Sequence, residues 1–130
     1  MPNNPGRLFF IAVFALMSWP LCVQAQVAVF KTLDKVTAKI DRLETPVGIP
    51  TVLGPLTVTV RTCKTTPPEE PPETSVYVEI DESREGRTEQ LFSGWMFASS
   101  PGLNGLEHPV YDLWPEACRT VSGEAFTGNE

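Results

Sequence analysis

The sequence predicts an all-β domain, a small sandwich or barrel of six to seven short antiparallel strands tied by one disulfide. Three observations carry that expectation. Apolar and polar residues alternate over several short stretches, the period of half-buried strands. Gly and Pro, 9 and 13 of 130 residues, fall mostly between those stretches, where turns belong. No stretch shows the 3.6-residue period of a long helix.

The elements follow in order. Val27 to Leu33 is apolar and β-branched and suits a first strand. Lys35 to Arg42 alternates, with Val36, Ala38 and Ile40 on one face, and reads as a half-buried second strand. Pro46 and Gly48 break it. A short strand at Thr51 to Leu53 runs into the Gly54-Pro55 turn pair. Leu56, Val58 and Val60 then face inward on a strand expected to end at Cys63. Thr65 to Glu73 holds four prolines, which fix φ and remove donors, so an extended polyproline-like connector is expected.

Ser75 to Asp81 alternates again, with Val76, Val78 and Ile80 on one side, and Ser83 to Thr88 reads as a hairpin loop centred on Gly86. Gln90 to Ala98 is its return strand. Leu91, Phe92, Trp95, Met96 and Phe97 make it apolar on both faces, as in the middle of a packed domain, with Gly94 marking a bulge or a close backbone approach. Ser99 to Gly105 is loop, Val110 to Trp114 the last strand, and residues 119–130 a polar tail.

The first residues bear on compartment. Arg7 precedes an apolar run over residues 8–17, extended through Trp19, Leu21 and Val23, and Val23-Gln24-Ala25 offers a small-x-small exit. That predicts a signal peptide over residues 1–25, with export to the periplasm. The run is about 14 residues and interrupted by Pro20, against about 20 for a membrane span. Acylation of Cys22 wants a small residue before it, and Leu21 is bulky. Cleavage after Ala25 leaves two cysteines, Cys63 and Cys118, an even pair that reads as a disulfide in an exported chain. Two redox-active thiols would be the alternative, but the Cys-x-x-Cys spacing is missing. Closing a loop of about 55 residues contributes about 4 kcal/mol in the chain-entropy model. For a domain this small that is a large share of a typical total of about 5–15 kcal/mol.

With Arg7 in the leader, nine Lys and Arg face 16 acidic residues, a net charge near −7. Nucleic acid and anionic lipid are disfavoured as partners. Two acidic clusters, Glu69, Glu70 and Glu73, then Asp81, Glu82 and Glu85, read as solvated loops.

Chemistry is sparse. Glu107, the only histidine His108, and Asp112 are the best local metal set, but adjacent residues point apart on a strand, so no metal is expected. His108 reads instead as a structural donor fixing the loop after Gly105. A hydrolase would use Ser99 or Ser100 with His108 and Asp112, without any Gly-x-Ser-x-Gly elbow. Phe92, Trp95, Phe97, Tyr111 and Trp114 form the most informative cluster. Most of these rings suit a core, but so many in one domain can leave Trp95 or Trp114 partly exposed, as binding surfaces do.

Several segments resemble a known family: Leu33 to Thr37, the Pro46-Val47-Gly48 turn, Val58 to Cys63, the Pro-Pro-Glu-Glu-Pro-Pro-Glu loop, Phe92 to Pro101, Leu106 to Trp114, and Cys118. The chain is similar to domain-of-unknown-function family 2155, small secreted proteins of alphaproteobacteria, over roughly Ala28 to Cys118. The resemblance implies a periplasmic address and supports the Cys63–Cys118 pairing. It brings no enzymatic activity. Neighbouring genes often include one for a small accessory subunit of the respiratory NADH dehydrogenase, which implies a place on that complex's outer face.

The expectation is therefore a monomeric, non-enzymatic periplasmic domain without cofactor or stable membrane insertion. It binds an envelope protein through Trp95, Tyr111 and Trp114 together with Ser99, Ser100 and His108 of the connecting loop. The alternative is a small periplasmic hydrolase.

Overall fold

The computed structural model describes residues 24–122; residues 1–23, which hold most of the expected signal peptide, and residues 123–130 lie outside them. Seven antiparallel strands are present: β1 (Gln24–Asp34), β2 (Lys39–Pro46), β3 (Thr51–Leu53), β4 (Leu56–Thr65), β5 (Thr74–Arg84), β6 (Arg87–Phe97) and β7 (Tyr111–Ser122). They form two sheets, a three-stranded one in the order β2-β1-β7 and a four-stranded one in the order β3-β4-β5-β6. Among the described residues no helix is long and apolar enough to cross a membrane.

The core lies between the sheets. Ala28 and Phe30 of β1 and Leu113 of β7 meet Leu56, Val58 and Val60 of β4, Val76, Val78 and Ile80 of β5, and Met96 of β6. Leu106, from the β6–β7 connection, fills one end. The alternation expected for β4 and β5 is observed, and those six side chains are fully buried. The Cys63–Cys118 disulfide joins β4 to β7 and so links the two sheets, with a Cα–Cα distance of 5.9 Å.

Each sheet is interrupted by bulges. β4 carries an extra residue, Arg61, opposite β5; β7 carries Glu116 opposite β1; β6 carries Leu91 opposite β5. Both cysteines lie inside their strands rather than at the ends. β7 continues through Ser122, so residues 119–122 are sheet rather than tail. Gln24 and Ala25, expected in the leader, pair with Ser122 and Val121.

Three segments differ from the sequence expectation. Lys35 to Ala38 is a turn, not strand, which leaves Val36 and Ile40 exposed. The cause is local. The Asp34 carboxylate accepts the N–H groups of Val36 (2.9 Å) and Thr37 (3.2 Å), and Ala38 takes φ 57° to re-enter β2. The proline-rich connector is folded back rather than extended. Thr66 N–H donates to the Glu73 carbonyl, and its hydroxyl donates to that of Pro71. The third difference is β6, which lies at a sheet edge, with Met96 its one fully buried apolar side chain. Its bulge is at Leu91; Gly94 sits in regular register with Val78 and leaves room for the Phe92 ring.

Two turns need glycine. Glu85 and Gly86 both have positive φ (49° and 74°), which suits the twist of a tight hairpin, so the β5–β6 loop is shorter than expected. Gly54 has φ 57°, and a Cβ there would come within 2.5 Å of the Tyr111 hydroxyl.

Replacing both cysteines by serine is expected to cost about 4 kcal/mol of unfolding free energy. Denaturant titration of the double variant beside oxidised and reduced wild type measures it; equal midpoints for all three would contradict the estimate.

Candidate functional site

The expected site residues do not share one surface. Register and alternation place them in three environments: Trp95 outward on the four-stranded sheet, Trp114 outward on the three-stranded sheet opposite Lys31, and Tyr111 inward against Gly54. Ser99, Ser100 and His108 all lie on the β6–β7 connection, with His108 turned inward and buried.

His108 closes one end of the sandwich. Its Nε2 lies 2.6 Å from Glu82 Oε2, and its Nδ1 accepts the N–H groups of Val110 (3.1 Å) and Tyr111 (3.2 Å). Two donors on Nδ1 leave Nε2 to carry the ring proton, so the imidazole donates to the carboxylate. Arg84 contacts the other Glu82 oxygen at 2.9 Å. Lys35 fixes the same strap, its Nζ donating to the His108 carbonyl at 2.8 Å and its N–H to the Val110 carbonyl at 2.7 Å. The structural role expected of His108 is observed, with Nδ1 acting as an acceptor too. Glu82 is not a solvated loop residue: it follows Val76, Val78 and Ile80 in the inward phase, and extending that alternation two positions would have found it.

This arrangement does not assemble a triad. Both imidazole nitrogens are occupied, neither by Ser99, Ser100 nor Asp112, and the side chain is 3% exposed. The Ser99 hydroxyl donates to Glu73 Oε2, and its N–H donates to Oε1 at 3.1 Å. These bonds, foremost the hydroxyl, hold the Glu73 carboxyl below its ordinary range. Backbone donors from Thr37 and Val36 do the same for Asp34. Among the described residues no group of three His, Cys, Asp or Glu could hold a metal.

Two hollows mark the outer faces. One, about 430 Å³, lies on the three-stranded sheet, lined by Val29, Ala117 and four charged side chains. Those charges pair with each other, Arg42 with Glu116 at 3.3 Å and Arg119 with Glu44 at 2.6 Å. The other is an apolar groove of about 270 Å³ on the four-stranded sheet, formed by Lys64, Ser75, Trp95 and Phe97. Trp95 stands edge-on to Tyr77, with centroids 5.4 Å apart, and Lys64 Nζ reaches over β5 to 5.9 Å from the Trp95 centroid. Small Ser75, between Lys64 and Phe97 in register, leaves the space between them open.

Only Trp95 of this groove belongs to the expected set. Lys64, Ser75 and Tyr77 carried no sequence signal beyond falling in the outward phase of their strands. Glu73, which secures the loop beside the groove through Ser99, looked like one more solvated acid.

A family model described as "Uncharacterized protein conserved in bacteria (DUF2155)" matches residues 28–118. The chain belongs to the DUF2155 family. The matched span opens at Ala28 and closes at Cys118, which face each other across β1 and β7, so the DUF2155 segment contains both cysteines and all seven strands in whole or part. No curated protein and no solved structure matches the chain.

Two outcomes follow for this DUF2155 domain. His108→Ala leaves the buried Glu82 Oε2 without its donor, only Oε1 keeping Arg84, and calorimetry is expected to show a loss of about 2–4 kcal/mol; a loss within about 0.5 kcal/mol of zero would contradict the pairing. Glu73 and Asp34 titrate low when folded, so their contribution is complete above their ordinary values of 4.5 and 3.8 and is lost as pH falls through the lowered folded values. Glu73→Gln should therefore flatten the acid limb of stability against pH below about 4.5; an unchanged limb would count against the Ser99 contact.

Proposed function

We propose that this DUF2155 protein is an exported, non-enzymatic binding domain that docks an envelope protein on the outer face of its four-stranded sheet. One observation carries the reading: Trp95 and Phe97 turn large rings away from the core and border an open apolar groove with a lysine at its rim, and Tyr77 stands edge-on to Trp95. Aromatic side chains on a rigid sheet offer large contact area at little entropic cost, which is why they anchor interfaces. In the larger hollow on the opposite sheet the charges are already paired with one another, which offers less to a partner.

Export is supported by the basic, apolar and small-x-small order of the first 25 residues. A disulfide linking the two sheets supports it as well, since such bonds persist in oxidising compartments. The mature chain is proposed to be a monomer that serves as an accessory subunit of an envelope complex, and the outer face of the respiratory NADH dehydrogenase is the first to test. Ser99 supports the docking surface through Glu73, and His108 fastens the other end of the β6–β7 connection; neither serves as a contact.

Affinity capture from envelopes, with quantitative mass spectrometry, tests this reading. Trp95→Ala is expected to lower the co-purifying partner at least about tenfold, as hot-spot truncation does, while Trp114→Ala leaves it unchanged. Equal recovery with Trp95→Ala would overturn the assignment of the face.

A further inference from the structure

Four strands form the sheet edges: β2, β7, β3 and β6. Exposed edges invite pairing with other chains, and proteins usually blunt them with charge, proline, bulges or brevity. Here β2 carries Lys39, Asp41, Arg42 and Glu44 and ends at Pro46. β3 is three residues long. β7 has Pro115 beside its Glu116 bulge. The first half of β6 is likewise protected, by Arg87, Glu89 and the bulge at Leu91. From Ser93 to Phe97 none of these appears, and the β6–β7 connection covers only the Trp95 and Phe97 carbonyls, through Asn104 and Ser100: the sequence is Ser-Gly-Trp-Met-Phe, uncharged and in regular register.

The direction of the backbone groups along that stretch follows from the ladder. Ala98 N–H donates to the Thr74 carbonyl at 2.9 Å, which makes the opposed pair Ala98/Thr74 a hydrogen-bonded one. Alternation then directs the backbone groups of Met96, Gly94 and Phe92 toward β5, and those of Phe97, Trp95 and Ser93 toward the open edge. Two contacts agree: the Asn104 amide donates to the Trp95 carbonyl at 3.2 Å, and Ser100 N–H to the Phe97 carbonyl at 3.3 Å. Among the described residues, the N–H groups of Ser93, Trp95 and Phe97 and the Ser93 carbonyl face no strand.

We propose that Ser93–Phe97 of β6 is an acceptor edge for an extended segment of the partner polypeptide, which adds a fifth strand to the four-stranded sheet. The inference rests on the binding function proposed above and specifies its chemistry. A row of outward N–H and C=O groups selects main chain over any other ligand. Alternate side chains of an added strand fall on the outer face beside Trp95 and Phe97, so the segment is apolar at alternate positions. Lys64, whose ammonium stands over the Trp95 ring, favours an acidic residue among them. Asn104 occupies one carbonyl in the free protein and gives it up on binding.

Nonapeptides selected from a random phage-displayed library on the oxidised protein provide the probe. Selected sequences are expected to alternate apolar residues. Ser93→Pro removes one outward N–H at a position β5 does not use and should weaken them about tenfold. Ser93→Ala, which loses only the hydroxyl contact to Tyr77, should bind as wild type does, and Asn104→Ala as well or better. Selected peptides whose binding Ser93→Pro leaves intact would overturn strand addition, as would a failure to select any. If Ser93→Pro does not fold, amide hydrogen exchange on wild type with a selected peptide decides: protection at Ser93, Trp95 and Phe97 is expected, and protection confined elsewhere overturns the inference. Loss of envelope capture by Trp95→Ala alongside intact peptide binding by Ser93→Pro would retain the docking face and reject only the added strand.

Discussion

The disulfide between the sheets depends on two bulges, each of which sets one residue outside the regular strand period. On β4, Leu56, Val58 and Val60 face inward, and unbroken alternation would turn Cys63 outward. Arg61 is the extra residue that reverses the phase. On β7, Tyr111, Leu113 and Pro115 face inward, and Glu116 reverses the phase before Cys118. Each bulge thus lies two positions ahead of a cysteine and turns it toward the opposite sheet. Both bulge residues are held from outside, Arg61 by Glu79 at 3.0 Å and Glu116 by Arg42 and Lys31. Exposed ion pairs contribute at most about 1 kcal/mol each. Their value here is positional, because they keep the extra residue on the surface while the sulfur atoms meet in the core.

From that crosslink the ends of the sandwich follow. β7 is fixed over the four-stranded sheet, and the long β6–β7 connection must cross between sheets to reach it. Leu106 and His108 point inward from that crossing, one into the core and the other onto Glu82. Ser99 anchors its other end to Glu73. The connection is therefore a strap with polar fastenings at both ends, and the groove beside Trp95 lies where the first of them ends.

How much of this was legible in the sequence divides along physical lines. The inward faces of β4 and β5 were plain, since period-two patterning maps directly onto a two-sided sheet. Turns built on Gly54-Pro55 and Gly86 were plain too. Bulges were not, because one extra residue looks like an ordinary lapse in alternation, and both phase reversals depend on one. The position of β6 was misread for a related reason: a strand apolar on both faces resembles a central strand, and only pairing order reveals that its outward rings border a groove at an edge. Asp34 could have been read as a turn former, since its carboxylate precedes two N–H groups it can accept. The site was the least legible part, because Lys64, Ser75, Tyr77 and Trp95 come from three strands whose order the pattern does not specify.

The most direct test is to move the cysteine by one position, Cys63→Ser together with Thr62→Cys, and count alkylatable thiols without reduction on protein oxidised under conditions that close the wild-type bond. The bulge predicts two reactive cysteines, because with Arg61 set outside the strand period position 62 faces solvent opposite Tyr77. A variant whose cysteine at position 62 still bonds Cys118 as readily as the wild-type pair does would contradict the claim that the bulge aims the bond.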